Sequence, residues 1–114
     1  MTTDKEQIKK AISGITGKPS YVSLVREDFD FVDPEGMVHV CGNSVDDVLE
    51  GLAGEFSKLP AELARELLFI RSHSLTMNDL DRINKSRPAS SFYKAGLCFD
   101  EPKDAAVEVF VFWR

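Results

Sequence analysis

The chain ends in a run of apolar residues that predicts an interior β-strand. In the last ten residues, AAVEVFVFWR, the alternation of apolar and polar positions stops after Glu108. Successive strand side chains point to opposite faces, so a strand that is apolar on both must be covered on both. The pattern predicts an inner strand with helices on one face and further structure on the other.

Two clear helical stripes lie in the first half of the chain. The first is predicted from Asp4 to about Ile15, since its apolar residues recur at helical spacing, and Gly14, Gly17 and Lys18-Pro19 end it. The second begins after a cap at Asn43 or Ser44. Asp46 and Asp47 lie in its first turn, where the exposed N–H groups favour negative charge. Its apolar stripe continues to Leu59.

The segment that follows is harder to assign from its pattern. Pro60 can open a third helix that continues through Leu68. The apolar run Leu67–Ile70 either finishes that helix or begins a short strand through His73, and at this length periodicity cannot decide between them. Thr76 then predicts the cap of a short helix, with Asp79 three residues later in a capping-box arrangement.

Turn residues predict two β-hairpins. A strand is predicted at Tyr21–Val25, followed by a hairpin that joins Phe29–Val32 to Met37–Cys41 through the type I turn sequence DPEG. The second hairpin joins Phe92–Phe99 to the terminal strand through a turn at residues 100–104. Strands grouped in hairpins favour an α+β fold with an antiparallel sheet.

We therefore expect residues 1–114 to form a single small α+β domain. The predicted order is αββααα and then ββ, with about four antiparallel strands in two hairpins packed against three to four helices. The strand order is not readable from the sequence. If the terminal strand is central, it can pair with a strand of the first hairpin.

Charge is unevenly distributed along the chain, whose net charge is −5. Nine carboxylates and no Lys or Arg lie between Glu27 and Glu55, whereas residues 1–26 and 71–94 each carry an excess of positive charge. An acidic block disfavours nucleic-acid binding and favours a basic protein partner. No apolar run is long enough to span a bilayer, and the first residues lack the apolar stretch of a secretory signal, so we expect a cytoplasmic protein.

Motifs that would carry catalysis are missing from the sequence. It contains no Gly-rich phosphate loop and no CxxC, HExxH or GxSxG pattern, so a non-catalytic protein is favoured over an enzyme and no cofactor is expected. His39 and Cys41 share one face of a predicted strand. A metal site would also need His73 and Cys98, whose spacing fits no usual ligand pattern, so no metal is expected. Both cysteines are expected to be reduced, buried and inert thiols, and a disulfide between them is the alternative, since both can lie in the same sheet.

Two sets of residues are candidates for binding. The first is the acidic surface of residues 27–55, with the partner-binding candidates Asp28, Asp30, Glu35, Asp46, Asp47 and Glu50. The second is a polar cluster between Arg71 and Lys94, with the anion-binding candidates Arg71, His73, Arg82, Arg87 and Lys94.

The leading hypothesis is a non-catalytic binding or regulatory module that docks a protein partner through the acidic surface. The alternative is a small anion- or nucleotide-binding protein, or an enzyme, that uses the polar cluster. A homodimer in which a second copy completes the apolar terminal strand is a third hypothesis, because Phe110, Phe112 and Trp113 offer more apolar surface than a small domain readily covers.

Overall fold

The computed structural model describes residues 1–17, 20–100, 102 and 105–114. The helices within these residues are α1 (Lys5–Thr16), α2 (Arg26–Val32), α3 (Val45–Phe56) and α4 (Met77–Ser86). The strands are β1 (Gly36–Gly42), β2 (Glu62–Ser72), β3 (Ala89–Cys98) and β4 (Val107–Trp113). The fold class is α+β, as predicted, and the observed order is ααβαβαββ.

The four strands form one mixed sheet in the order β1-β4-β2-β3. The strand β4 is antiparallel to both β1 and β2, whereas β2 is parallel to β3. The prediction of a purely antiparallel sheet is therefore wrong. The helix α4 provides the crossover connection that the parallel pair β2–β3 requires.

Helices cover both faces of this sheet. On the first face, α1 and α2 pack against residues that include Leu67, Phe69 and Phe112. On the second face, α3 and α4 pack against the side chains that alternate with these, among them Val109 and Val111. The prediction that the terminal strand is interior is confirmed, and the structure that covers its other face is a second pair of helices.

Neither predicted hairpin is present among the described residues. Met37–Cys41 lies in β1 as predicted, but the preceding segment Phe29–Val32 belongs to the helix α2. Phe29 and Val32, three residues apart, are both buried, whereas Phe31 is half exposed. The Asp28 carboxylate accepts a hydrogen bond from the Val25 backbone N–H at 2.9 Å and so supports the start of this helix.

The helix predicted from Pro60 is instead the strand β2, which resolves the open assignment of Leu67–Ile70. Leu67 and Phe69 contribute to the core on the first face, and Leu68 and Ile70 contribute to the core on the second. The strand lies between β4 and β3, so burial on both faces overrides the helical preference of its Glu, Leu, Ala and Arg residues.

The strand predicted at Tyr21–Val25 is reduced to an isolated bridge. The Val22 N–H donates to the Leu97 carbonyl at 3.1 Å, and the Leu97 N–H donates to the Val22 carbonyl at 2.8 Å. Phe92–Phe99 matches β3, but β3 pairs with β2 and not with the terminal strand. The predicted helix stop at Lys18-Pro19 lies outside the described residues, as does most of the predicted turn at residues 100–104.

The remaining helix predictions are confirmed. Ser44 caps α3, and the Asp47 N–H donates to its hydroxyl at 3.2 Å. Thr76 and Asp79 form the predicted capping box of α4. No helix in the described part of the chain is long and apolar enough to cross a membrane.

We expect Phe112→Ala to lower the free energy of unfolding by about 3–5 kcal/mol, because it leaves a cavity at a side chain with 0% exposure in the central strand. Urea denaturation measures this loss. Met77→Ala is the control, since Met77 is 81% exposed and its truncation should change stability by less than about 0.5 kcal/mol. Equal losses in the two variants would contradict a central position for Phe112.

Candidate functional site

The six acidic candidates fall into two groups on opposite faces of the sheet. Asp28 and Asp30 lie in α2, on the first face, and Glu35 lies just beyond that helix. Asp46, Asp47 and Glu50 lie in α3, on the second face. The carboxylates that are close together in the sequence are therefore separated by the thickness of the sheet.

Several of these carboxylates already have partners inside the chain. Asp28 lies 2.8 Å from the Lys94 ammonium, Glu35 lies 3.3 Å from the Arg114 guanidinium, and Asp46 forms an ion pair with Arg82. Asp47 lies in the first turn of α3, where the positive end of the helix dipole stabilises its negative charge. Asp30 and Glu50 are exposed, and no ion pair joins them to other described residues.

The positive candidates do not converge on one cleft either. Arg71 and Lys94 contact carboxylates on the first face, whereas Arg82 and Arg87 belong to α4 and its end on the second. His73 is exposed in the loop after β2. Four of the candidates bind different carboxylates: Arg71 binds Asp100, Arg82 binds Asp46, Arg87 binds Glu66 and Lys94 binds Asp28.

The Arg87 pair is the most deeply buried of these contacts. Glu66 has 0% exposure, and its Oε1 accepts hydrogen bonds from Arg87 and Ser90, each at 3.1 Å. The Arg87 guanidinium lies 3.2 Å from the centroid of the Tyr93 ring. Burial raises the pKa of the Glu66 carboxyl and outweighs the opposing attraction of Arg87. This network joins the end of α4 to β2 and β3.

An exposed apolar strip follows β3, which is an edge strand of the sheet. We call the exposed apolar residues along it the β3-edge surface: Tyr21, Val22, Val25, Phe31 and Phe99. Tyr21 is 75% exposed with its ring 5.2 Å from that of Phe99, and Phe31 is 50% exposed and packs edge-on against Phe92. Apolar side chains gathered in this way are typical of protein interaction sites.

The backbone of β3 is available along part of the same edge. Leu97 directs its N–H and carbonyl outward, to Val22. Alternate residues of a strand direct these groups to the same side, so Ser91, Tyr93 and Ala95 also direct theirs away from β2. Among the described residues, no backbone hydrogen bond from another segment reaches these three.

A second cluster lies at the opposite side of the sheet, on β1 and β4. Cys41 and Glu108 are direct cross-strand partners, and His39 lies two residues from Cys41 on the same face. The His39 Nε2 atom lies 2.7 Å from Glu108 Oε2 and 3.4 Å from Cys41 Sγ, and the thiol lies 3.7 Å from the same carboxylate oxygen. We call these residues the His39–Cys41–Glu108 cluster.

Neighbouring side chains hold this cluster in place. The His39 ring stacks on Phe110 with centroids 4.2 Å apart and planes within 5° of parallel. Arg71 approaches Glu108 Oε1 at 3.8 Å. A cavity of about 270 Å³, lined by Arg71, Glu108, Phe110 and residues of α1 and β2, opens beside it.

The electrostatics of the cluster disfavour a nucleophilic thiol. Burial raises the pKa of Cys41, and the nearby Glu108 charge raises it further. The hydrogen bond from His39 lowers the pKa of Glu108. Cys41 and Cys98 are both free thiols; Cys98 is buried, but Cys41 is exposed, so the prediction that both thiols are buried is wrong for Cys41.

Sequence reasoning found part of this cluster and missed the rest. The two-residue spacing correctly places His39 and Cys41 on one face, but the further ligands that the sequence offers, His73 and Cys98, do not belong to the cluster. Glu108 was visible only as the polar interruption of an apolar strand. Its position opposite Cys41 depends on the register between β1 and β4, which the sequence does not disclose.

Comparisons with known proteins show a similarity of fold and identify no family. No family model and no curated protein matches the sequence. Among solved structures the chain is similar to an empty FtsZ dimer from M. jannaschii, with a TM-score of 0.59 and 14% identity over 93% of this chain. The match covers 35% of the FtsZ chain, so this chain spans about a third of its length. At this identity the likeness shows the fold alone.

The buried carboxyl of Glu66 predicts a pH-dependent loss of stability. Because its pKa is raised above the ordinary value near 4.5, folding takes up a proton between the two values, and the free energy of unfolding falls as the pH rises through that window. Urea denaturation at a series of pH values should show a steeper fall for the wild type than for Glu66→Gln. Glu62→Gln, on an exposed side chain of the same strand, controls for the lost charge. Parallel wild-type and Glu66→Gln profiles would contradict the raised pKa.

Proposed function

We propose that this chain is a non-catalytic binding module that docks an extended segment of a protein partner along the open edge of β3. The observation that supports this function is the combination of outward backbone groups at Ser91, Tyr93 and Ala95 with the apolar β3-edge surface beside them. An added strand obtains main-chain hydrogen bonds from such an edge and obtains specificity from side chains at alternate positions.

The environment of this edge differs from that of a protected edge strand. Natural edge strands are usually short, charged or covered, because open backbone groups recruit other chains. The strand β3 extends over ten residues, and within the described ranges the bridge from Val22 meets it at Leu97 alone. Exposed Val25 and Phe31 stand beside the uncovered part, where a partner's apolar side chains would pack.

The chemistry of the partner follows from these surroundings. An incoming strand would present apolar residues at every second position toward Phe31 and Phe92, on the face of the sheet that α2 covers. The net charge of −5 favours a basic partner, whose approach it would steer. The protein-docking hypothesis is thus retained with a different contact: the partner binds the β3 edge, and the net charge of the chain attracts it from a distance.

The other two hypotheses have weaker support. Docking on the acidic candidates would require carboxylates from opposite faces, several of which are paired within the chain. An anion site between Arg71 and Lys94 would require cations that each contact a carboxylate already. The strand β4 is paired at both edges and buried on both faces, so a homodimer would have to form elsewhere. The FtsZ neighbour is described as a dimer, which makes a second copy the alternative occupant of the β3 edge.

A proline at the open edge should abolish docking. Ala95→Pro removes one outward N–H, whereas Ala95→Val keeps it and suits a strand, so the two variants separate edge pairing from a change of side chain. Peptides of about ten residues, selected from a displayed library on the wild-type chain, should bind Ala95→Pro at least about tenfold more weakly and Ala95→Val almost unchanged. Ser91→Pro provides a second test of the edge, and urea denaturation confirms that each variant is folded.

Amide hydrogen exchange should show new protection at Tyr93 and Ala95 in the peptide complex. Peptides that bind Ala95→Pro and wild type equally, or protection confined to another surface, would overturn the proposal. Sedimentation of the chain without peptide tests the alternative occupant. Concentration-dependent dimerisation that Ala95→Pro abolishes would assign the edge to a second copy and contradict a separate partner.

A further inference from the structure

The His39–Cys41–Glu108 cluster brings three kinds of metal-binding atom to one point. An imidazole nitrogen, a sulfur and a carboxylate oxygen all lie within 4.8 Å of one another. Because β1 and β4 are adjacent and antiparallel, the register alone places Glu108 opposite Cys41. We propose that these three residues form a binding site for Zn²⁺ or a similar divalent d-block cation.

The distances between the ligand atoms are close to those of a tetrahedral site. Zinc bonds of about 2.0–2.3 Å at tetrahedral angles separate neighbouring ligand atoms by roughly 3.3–3.6 Å. The separations from Cys41 Sγ, 3.4 Å to His39 Nε2 and 3.7 Å to Glu108 Oε2, agree with this spacing. The separation of 2.7 Å between His39 and Glu108 is that of a hydrogen bond and must widen by about half an ångström on binding.

The donor set selects the class of cation. Ca²⁺ and Mg²⁺ prefer all-oxygen sites, whereas a mixed nitrogen, sulfur and oxygen set is typical of zinc and its neighbours. Coordination replaces the thiol proton of Cys41, which passes to solvent as the bond between sulfur and metal forms. Three protein ligands leave one tetrahedral position for solvent or an exchangeable ligand.

Contacts around the cluster orient two of the three ligands. Stacking on Phe110 fixes the plane of the His39 ring, and Arg71 lies beside the carboxylate oxygen of Glu108 that is not directed at His39. Outer contacts of this kind commonly orient metal ligands and strengthen binding. The cluster lies on β1 and β4, away from the β3 edge, so the metal site and the docking function can fail independently.

Cobalt titration provides a direct test, because Co²⁺ bound to a thiolate gives a charge-transfer absorption. Zn²⁺ should then replace the Co²⁺ and remove this absorption. We expect one Co²⁺ per reduced chain, with that absorption lost in Cys41→Ser. Zinc affinity, measured by competition with a chromophoric chelator, should fall at least about tenfold in His39→Gln, Cys41→Ser and Glu108→Gln. Zn²⁺ should also raise the melting temperature of the wild type but not that of Cys41→Ser.

The chain offers matched controls for these variants. His73→Gln removes the other histidine and Cys98→Ala the other thiol, and both should keep wild-type zinc affinity. Ca²⁺ and Mg²⁺ at the same concentrations should give no thermal shift. A charge-transfer band that survives Cys41→Ser, zinc affinity unaffected by His39→Gln, or the absence of a one-to-one complex would each overturn the site. Circular dichroism of the metal-free variants tests whether each variant is folded, so that a loss of zinc affinity can be distinguished from a loss of folding.

Discussion

The fold depends on the burial of β4 on both faces and its pairing at both edges. Val109 and Val111 pack beneath α3 and α4, while Phe112 meets Phe29 of α2 edge-on at 5.0 Å between ring centroids. The same strand hydrogen-bonds β1 on one side and β2 on the other. Neither helical layer contacts the other across the sheet, so β4 and its neighbour β2 connect the two cores, and a change in β4 would reach both.

Internal pairing determines which parts of the surface remain for binding. Most positive candidates and several acidic ones are joined in ion pairs, and these pairs fasten α2 to β3 and α3 to α4. Partly exposed pairs of this kind contribute little stability individually, but they occupy groups that the sequence presents as free charge. The open edge of β3 and the His39–Cys41–Glu108 cluster are two surfaces that this pairing leaves accessible.

These two surfaces lie towards opposite edges of the sheet, and each would bind its ligand through a different kind of interaction. The β3 edge offers unsatisfied backbone groups and apolar area, which suit another polypeptide. The cluster offers three closely spaced donor atoms of different chemistry, which suit a single cation. The buried Glu66 carboxyl accepts hydrogen bonds from Arg87 and Ser90 through its Oε1 atom, and these contacts join the end of α4 to the sheet.

The sequence by itself determined the elements whose patterns are local. The apolar stripes of α1 and α3, the N-terminal caps of α3 and α4 and the doubly apolar terminal strand are visible without knowledge of their neighbours, because helix capping and side-chain periodicity act within a few residues. The same reasoning placed His39 and Cys41 on one face. It failed at Phe29–Val32, where alternation resembled a strand although the buried pair has helical spacing.

Only the tertiary structure decided the features that depend on distant segments. Residues 62–72 prefer a helix locally and form a strand because β3 and β4 flank them, and sheet pairing with burial on two faces outweighs that preference. The mixed strand order and the open edge of β3 follow from that choice. The acidic candidates are separated because α2 and α3 pack on opposite faces of the sheet. Glu108 joins His39 and Cys41 through the register of two strands far apart in the chain, which no local interaction specifies.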